Sequence, residues 1–515
     1  MSLARAWSVS LVGVQGHLVE VEVDLAQGLP GLTLIGLPDA SLQEARDRIR
    51  AAVVNSGHSW PNRKITVGLS PASLPKRGSG FDLAIAAAIL AAAGVLPADA
   101  LAGRVLLGEL GLDGRVRPVR GVLPAVLAAT AAGIDRVVVA RDNAAEAALV
   151  PTLAVDAVTS LTGLIALLRG EPPTGEEPAA EAVGPPADSV RPGPGRDLDL
   201  ADVVGQPEGR RAVEVAAAGG HHLFLCGPPG AGKTMLAERL PGVLPPLDRE
   251  SALEVTAVHS VAGTLPPGSP LVLVPPYCGP HHTATVAALI GGGSGLARPG
   301  AASLAHRGVL FLDEAPEFAP GALDALRQPL ESGEVVISRA GGTARYPARF
   351  TLVLAANPCP CANAAGSASE CTCTANARRR YLGRLSGPLL DRIDLRVQLL
   401  PVGRHELLAD RHLVEPTATV AARVGSARER ATARLAGTPW RTTSEVPGRE
   451  LRTRFAPTPA GRAVVEKGVI CGQLSARGLD RVLRVAWTVA DLDEVDRPSA
   501  DHVHEALLLR MEGAA

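Results

Sequence analysis

At 515 residues the chain exceeds what one hydrophobic core supports, and domain sizes of roughly 100 to 200 residues suggest about three units. Hydrophobic residues at 46% and charged ones at 20% mark an ordinary globular protein, and a formal net charge of −1 excludes a global basic field, so any nucleic-acid contact must come from locally placed Arg. The longest uncharged apolar stretch, 83–95, falls short of the ~20 residues that cross a bilayer, and no cleavage pattern follows the N-terminal MSLARAWSVSLVG; the expectation is a cytoplasmic protein with no membrane partner.

In chain order, short β-branched runs come first: VEVEV (20–24), KITVGL (64–69), RVLLGEL (104–110) and RVVVA (136–140). They alternate with Ala-rich helical stretches over 39–55, 81–93 and 121–132, which predicts an α/β unit. Residues 171–195 then hold seven Pro and four Gly with no apolar periodicity, the composition of a linker. A second α/β unit follows, with a strand, glycine loop and helix at 222–240 and apolar strands at 308–312 and 350–356. Its order suggests a parallel nucleotide-binding sheet. Beyond about 400, helix-period apolar residues over 419–436, 474–491 and 498–511 predict a helical C-terminal part.

The second unit carries the chemistry. GPPGAGKT, comprising Gly227, Pro228, Pro229, Gly230, Ala231, Gly232, Lys233 and Thr234, stands between the strand HLFLC and the helix TMLAERL, the context that a phosphate-binding loop needs. Its backbone N–H groups can converge on ATP phosphates at a helix N-terminus, with Lys233 on the β/γ-phosphates and the Thr234 hydroxyl on Mg²⁺. GVLFLDE (308–314) supplies Asp313 for Mg²⁺ through water and Glu314 as general base. Alone, an apolar strand ending in two acids is weak; beside the phosphate loop it is strong. TLVLAANP ends in Asn357, a group able to orient the lytic water, although Asn-Pro alone is only a turn signal.

This order of motifs resembles the AAA+ class. PHHTATVAALIGGG (280–293), RPGAASLAHRGVLFLDEAPEF (298–318), LRQPLESGEVVISRA (326–340), ANPCPC (356–361) and SGPLLDRIDL (386–395) are similar to the magnesium-chelatase-related family that includes ComM-type and YifB-type proteins. The resemblance spans nearly the whole chain. It implies a homo-oligomeric, hexameric ATPase using ATP and Mg²⁺, with DNA, single-stranded or branched, as partner, since ComM-type members are branch-migration motors in natural transformation. The chain departs from the family pattern at PPYCG (275–279), where an Arg is usual. Arg392 in LLDRIDL takes the position of the finger that reaches a neighbour's ATP, with Arg384 as competing candidate, and Arg477 in LSARGLDR matches the γ-phosphate sensor of the lid. Each would otherwise be an ordinary surface Arg.

Two insertions lengthen the unit: LIGGGSGLARPGAAS between Lys233 and Asp313, and GEVVISRAGGTARYPARF, which reads as two strands around a Gly-Gly turn. In chelatase-like and MCM-like relatives such elements face a ring channel, so Arg298, Arg339 and Arg345 become candidates for phosphate contact. Solvated loop arginines are the equal alternative.

Cys359, Cys361, Cys371 and Cys373 form two Cys-x-Cys pairs just after Asn357. Four thiolates can close a tetrahedral Zn²⁺ shell with no open position, a structural site that would brace the insertion before Arg392; free thiols are the alternative. In the first unit, PKRGSGFDLAIAAAILAA (75–92) and LGELGLDGRVRPVRGVLPAVLAA (107–129) resemble the proteolytic domain of Lon, but the Ser position is Gly80 and the Lys position is Leu123. Ser79 is one residue out of register, so the module reads as ring-forming or ligand-gripping and not proteolytic. The expected layout is thus α/β throughout its first two units: a Lon-protease-like domain over 1–170, a linker over 171–198, an AAA+ P-loop domain over 199–400 and a helical lid over 401–515.

Overall fold

Two sheets organise the chain. In the computed structural model, which describes residues 2–37, 39, 42, 44–76, 78–97, 99–172, 198–265, 270–293, 297–339, 342–361, 371, 373–401, 414–472 and 474–511, the first sheet has seven strands. These are β1 (Ser2–Val12), β2 (Gln15–Ala26), β3 (Gly31–Ile35), β4 (Lys64–Ser70), β5 (Arg104–Leu107), β6 (Arg136–Ala140) and β7 (Ala154–Val158), in the order β3-β4-β2-β1-β5-β6-β7. β1 and β2 pair antiparallel along their whole length, and β5, β6 and β7 run parallel beside β1.

β1 is a strand that the sequence reading passed over. Its polar residues hide it: Ser8 and Ser10 are buried, and their hydroxyls donate to Leu106 O at 3.0 Å and Pro75 O at 2.9 Å. A buried hydroxyl with its partner costs little, so a central strand can carry serine. Helices α1 (Ala45–Asn55), α2 (Asp82–Ala92), α3 (Val122–Ala131) and α4 (Leu161–Arg169) cover the sheet. α2 is buried on nearly every side, which is why DLAIAAAILAA shows no amphipathic period. Of the expected linker 171–198, residues 173–197 lie outside the described residues.

The second sheet follows α5 (Pro207–Gly219) and contains β8 (Leu223–Cys226), β9 (Tyr277–Cys278), β10 (Val309–Leu312), β13 (Thr351–Ala356) and β14 (Leu395–Gln398) in the order β9-β10-β13-β8-β14. Between β10 and β13, β11 (Glu334–Arg339) and β12 (Gly342–Pro347) form the expected hairpin, paired from Glu334↔Pro347 to Arg339↔Gly342. Every pairing within the five-stranded sheet is parallel. All strand C-terminal ends therefore open on one edge, and all N-terminal ends on the other. α6 (Lys233–Val243) and α7 (Arg249–Ala262) follow β8. Asp248 caps α7 by accepting from Ser251 N at 2.8 Å, and Gly263 in the left-handed region ends it.

Helices α9 (Thr417–Arg434), α10 (Pro459–Ile470), α11 (Ala476–Leu492) and α12 (Ala500–Met511) make the C-terminal part; α8 (Ala375–Leu382) precedes β14. The C-terminal helices share one core with the sheet, where Val424, Val485 and Trp487 join Leu223 and Leu225. Asp394, at the start of β14, fastens the two: its carboxylate faces His221 Nδ1 at 3.1 Å and also accepts from Arg481 on α11, while His221 Nε2 meets Thr488 at 2.7 Å. Burial pushes Asp394 up, but the His221 bond and the Arg481 and Arg484 charges outweigh it and hold the carboxyl well below its usual range. The N-terminal sheet leans on α7. Ala257 enters the core of α3, and buried Glu146 accepts from Leu123 N at 2.7 Å and from the Ser260 hydroxyl. Among the described residues no helix is long and apolar enough to cross a membrane.

Candidate functional site

Because the five strands are parallel, the loops after β8, β10 and β13 meet at one edge, and these are the loops that carry the phosphate motif, the two acids and Asn357. Gly230 and Gly232 take φ of 77° and 85°, which lets the loop wrap backward into α6; a side chain there would be strained. Pro229 and Gly230 form the open crest, while Gly227, Pro228, Ala231 and Lys233 are buried beneath it. Lys233 Nζ donates to Gly227 O at 2.6 Å, Pro228 O at 2.8 Å and Asn357 Oδ1 at 3.0 Å. Two loop carbonyls and the Asn357 amide oxygen thus take all three donors of the ammonium. Burial lowers the Lys233 pKa, opposed by Asp313 and Glu314. An ammonium that is desolvated and already aimed gains most from an arriving anion.

Thr234 Oγ1 donates to Asp313 Oδ2 at 2.9 Å, so the hydroxyl and carboxylate expected to serve Mg²⁺ stand side by side. The residues fit ATP and Mg²⁺: an exposed glycine crest at a helix N-terminus, a buried Lys, and a hydroxyl opposite a carboxylate. Bound Mg²⁺ would neutralise developing charge on the β- and γ-phosphates. Glu314 follows in the left-handed conformation, φ 49° and ψ 44°, which costs a non-glycine residue roughly 1–2 kcal/mol. Its carboxylate points to His282, with Nδ1 to Oε2 at 3.3 Å. His282 belongs to PHHTATV, a run visible in the sequence but given no role there.

The two finger candidates separate. Arg384 stays at the C-terminal edge, its Nη1 donating to Pro316 O at 3.1 Å and Glu317 Oε2 at 2.9 Å, on the turn just after Glu314. Arg392 precedes β14, whose first residue pairs with the first residue of β8, so it lies at the opposite edge from the phosphate loop. Four strand residues, about 13 Å, separate the two edges, and Arg392 is turned away to Glu331 and Pro388 O. Its Nε is buried without a partner among the described residues. Arg477 Nη1 lies 3.5 Å from Asp391, so the structure groups the expected lid sensor with Arg392 and not with its own chain's Lys233. Sequence order showed neither Glu331 nor Asp391 as partners, because they meet their arginines only through the fold.

Arg298 and Arg339 come together: Arg298 pairs with Gly292, and the Arg339 guanidinium lies against Gly292. Arg345 is on the opposite hairpin face, bonded to Glu334 Oε1 at 2.6 Å, with its backbone against Gly13 at the β1–β2 tip. Residues 294–296 and 340–341, within the two expected insertions, lie outside the described residues.

Cys359, Cys361, Cys371 and Cys373 offer sulfurs that all lie within 4.8 Å of one another. Sγ separations are 3.3 Å for 359–361, 3.7 Å for 361–371 and 3.6 Å for 371–359. Four sulfurs around a zinc ion at ~2.3 Å stand about 3.8 Å apart, so the group can hold a metal. In the first sheet, Ser79 donates its hydroxyl to Glu109, Leu123 is fully buried, and neither meets a lysine in any described contact.

Three models of known families match successive parts of the chain. "Magnesium chelatase, subunit ChlI" covers 199–407, "Subunit ChlI of Mg-chelatase" covers 21–143, and "Magnesium chelatase, subunit ChlI C-terminal" covers 414–510. The chain is 41% identical to Competence protein ComM of Haemophilus influenzae, over 98% of this chain and 97% of that protein. It is 41% identical to the protein YifB of Salmonella typhimurium, over 99% and 97%, and 54% identical to an uncharacterized protein of Mycobacterium tuberculosis over 100% of both.

Proposed function

The chain belongs to the magnesium-chelatase-related family of ComM- and YifB-type proteins, AAA+-type ATPases, and from that premise we propose that it is a hexameric, ATP-hydrolysing motor that remodels DNA by branch migration or helicase-like movement. One observation carries the reading: the groups for binding and hydrolysing ATP gather at one edge of the sheet while Arg392 and Arg477 gather at the other. A chain that holds its arginines an edge away from its own phosphates completes its site from a neighbour, as a ring allows. Glu314 takes the proton of the attacking water, Asn357 orients that water, and Lys233 and Thr234 hold the phosphates and Mg²⁺ with Asp313. Arg392, with Arg477 beside it, neutralises charge on the neighbouring ATP.

The domains are taken as 1–170, Lon-like without its Ser-Lys dyad, linker 171–198, ATPase 199–400 and lid 401–515, in a cytoplasmic protein. Arg298 and Arg339 serve as the phosphate contacts on DNA, neutralising backbone charge without reading bases. The alternative, a motor subunit of a chelatase-like complex acting on a partner other than nucleic acid, draws on the family descriptions. ATP hydrolysis measured with forked or four-way DNA decides between them. Several-fold stimulation is expected, and a rate indifferent to every DNA form would remove the DNA reading.

The four thiols hold one structural Zn²⁺ that braces the segment between Asn357 and α8. Elemental analysis should find about one zinc per chain, and a chelator should lower the melting temperature, since small structural sites supply ~10–16 kcal/mol of apparent binding energy. Metal-free protein with unchanged melting and activity would return the cysteines to free thiols.

A further inference from the structure

The N-terminal edge of the five-stranded sheet, opposite the phosphate loop, borders a cleft of about 980 Å³. Its floor lies where the strands begin: His222 precedes β8, Gly308 precedes β10 and Thr351 opens β13. Arg428 on α9 and Arg484 on α11 stand in its walls. We propose that this cleft is a second anion site, separate from the phosphate loop, which takes an oligophosphate, free or as part of a nucleotide, on Arg349, Arg428 and Arg484. The cleft can do so whether or not the chain hydrolyses ATP.

The lining holds seven Arg against five acidic side chains, and each of the five acids is already engaged. Asp248 caps α7, Glu250 pairs with Arg441 at 2.9 Å, Glu331 with Arg392 and Asp394 with Arg481. Glu445 accepts from Arg441 N at 2.7 Å, and Arg307 turns to Glu254 at 3.0 Å. That leaves Arg349, Arg428 and Arg484, none of which has a carboxylate in ion-pair contact among the described residues. Arg428 directs Nε and Nη2 to a single oxygen, Ala217 O, at 2.8 and 2.6 Å. Arg484 Nε meets Val446 O at 2.9 Å. Arg349 is fixed through its backbone N–H, which donates to His306 Nδ1 at 3.0 Å, while its exposed side chain passes so close to Gly333 that a methyl there would stand 2.8 Å from Cγ.

Burial pushes Arg428 down to about 10 and lowers Arg484 as well. A guanidinium that has lost water and gained only a carbonyl is an uncompensated cation, and an arriving anion restores what burial removed. His222 adds a neutral donor. Its Nδ1 accepts from Leu352 N at 3.0 Å, so the ring proton sits on Nε2, and burial pushes its pKa down to about 4. Three cations on three separate elements suit a ligand with several anionic groups, in a volume typical of small-molecule sites. Phosphate oxygens match the planar guanidinium fork two at a time. An acidic peptide would bring N–H donors too, and the carboxylates that would accept from them are taken. Arg392 and Arg481 also border the cleft, but Glu331 and Asp394 hold them.

Isothermal titration calorimetry of the full chain with inorganic tripolyphosphate tests this. Wild type should show two sites per chain, the phosphate loop and the cleft, and Lys233→Ala should weaken the first and spare the second. On the Lys233→Ala background, Arg349→Gln and Arg484→Gln should each weaken the spared site by about 10- to 150-fold, the loss of one charged hydrogen bond. An unchanged melting temperature in Arg349→Gln, whose side chain is exposed, separates lost binding from lost folding. Displacement of tripolyphosphate from the spared site by ATP would make the ligand a nucleotide; displacement by inorganic pyrophosphate but not ATP would make it a free oligophosphate. Absence of binding, a single site that Lys233→Ala weakens, or a spared site indifferent to Arg349→Gln and Arg484→Gln together overturns the proposal. A single site that survives Lys233→Ala and weakens with Arg349→Gln would support the cleft and count against the phosphate loop instead.

Discussion

Glu314→Gln should bind ATP as the wild type does and hydrolyse it about 10²- to 10⁴-fold more slowly, the usual contribution of a positioned general base. Gln keeps the side chain's shape and its acceptor oxygen toward His282 but cannot take a proton from water. Lys233→Ala should fail one step earlier. It removes the ammonium that now bonds Gly227 O, Pro228 O and Asn357 Oδ1, so nucleotide affinity itself should fall, by about 10- to 150-fold if one charged hydrogen bond of 1.5–3 kcal/mol is lost. Binding of a fluorescent ATP analogue and single-turnover phosphate release separate the two. Equal turnover by Glu314→Gln and wild type would remove Glu314 as the base, and unaltered affinity in Lys233→Ala would remove the loop as the phosphate cradle.

What the sequence made legible follows from contact range. The phosphate loop is local: β8, the glycines and α6 occupy 223–243 without interruption, so spacing alone fixes the geometry. The hairpin β11–β12 and the cysteine pairs are legible for the same reason, since each closes over a short span. β1 stayed hidden because its inward serines are satisfied by Leu106 O and Pro75 O, partners 98 and 65 residues away. His282, Glu331 and Asp391 were equally invisible as site residues. Glu331 is 61 residues from Arg392, and Asp391 is 86 from Arg477, distances that no periodicity encodes. Parallel topology supplied what spacing could not: it put Asp313, Glu314 and Asn357 on the Lys233 edge and sent Arg392 to the other.

That division between edges sets the largest remaining expectation. Arg392→Ala should keep ATP binding while hydrolysis falls by as much as the roughly 10³ to 10⁵ typical of arginine fingers, since the cation would act on charge that develops only in the transition state. In the single chain Arg392 is folded onto Glu331, with its side chain 16% exposed, so to act as a finger it would have to exchange that carboxylate for a neighbour's phosphate. The exchange is chemically even-handed, one anionic oxygen for another, and the buried Nε that now lacks a partner has a bond to gain. On the proposed action in trans, mixing Arg392→Ala with Lys233→Ala protein should restore some turnover, at interfaces that pair an intact phosphate loop with an intact Arg392. Analytical ultracentrifugation of both variants must show the wild-type assembly, since an Arg at a protomer boundary could simply hold the ring together. If both variants assemble and exchange subunits, yet no mixture recovers hydrolysis, Arg392 is not the shared group. Arg384, bonded to Glu317 on the turn after Glu314, then becomes the residue to replace.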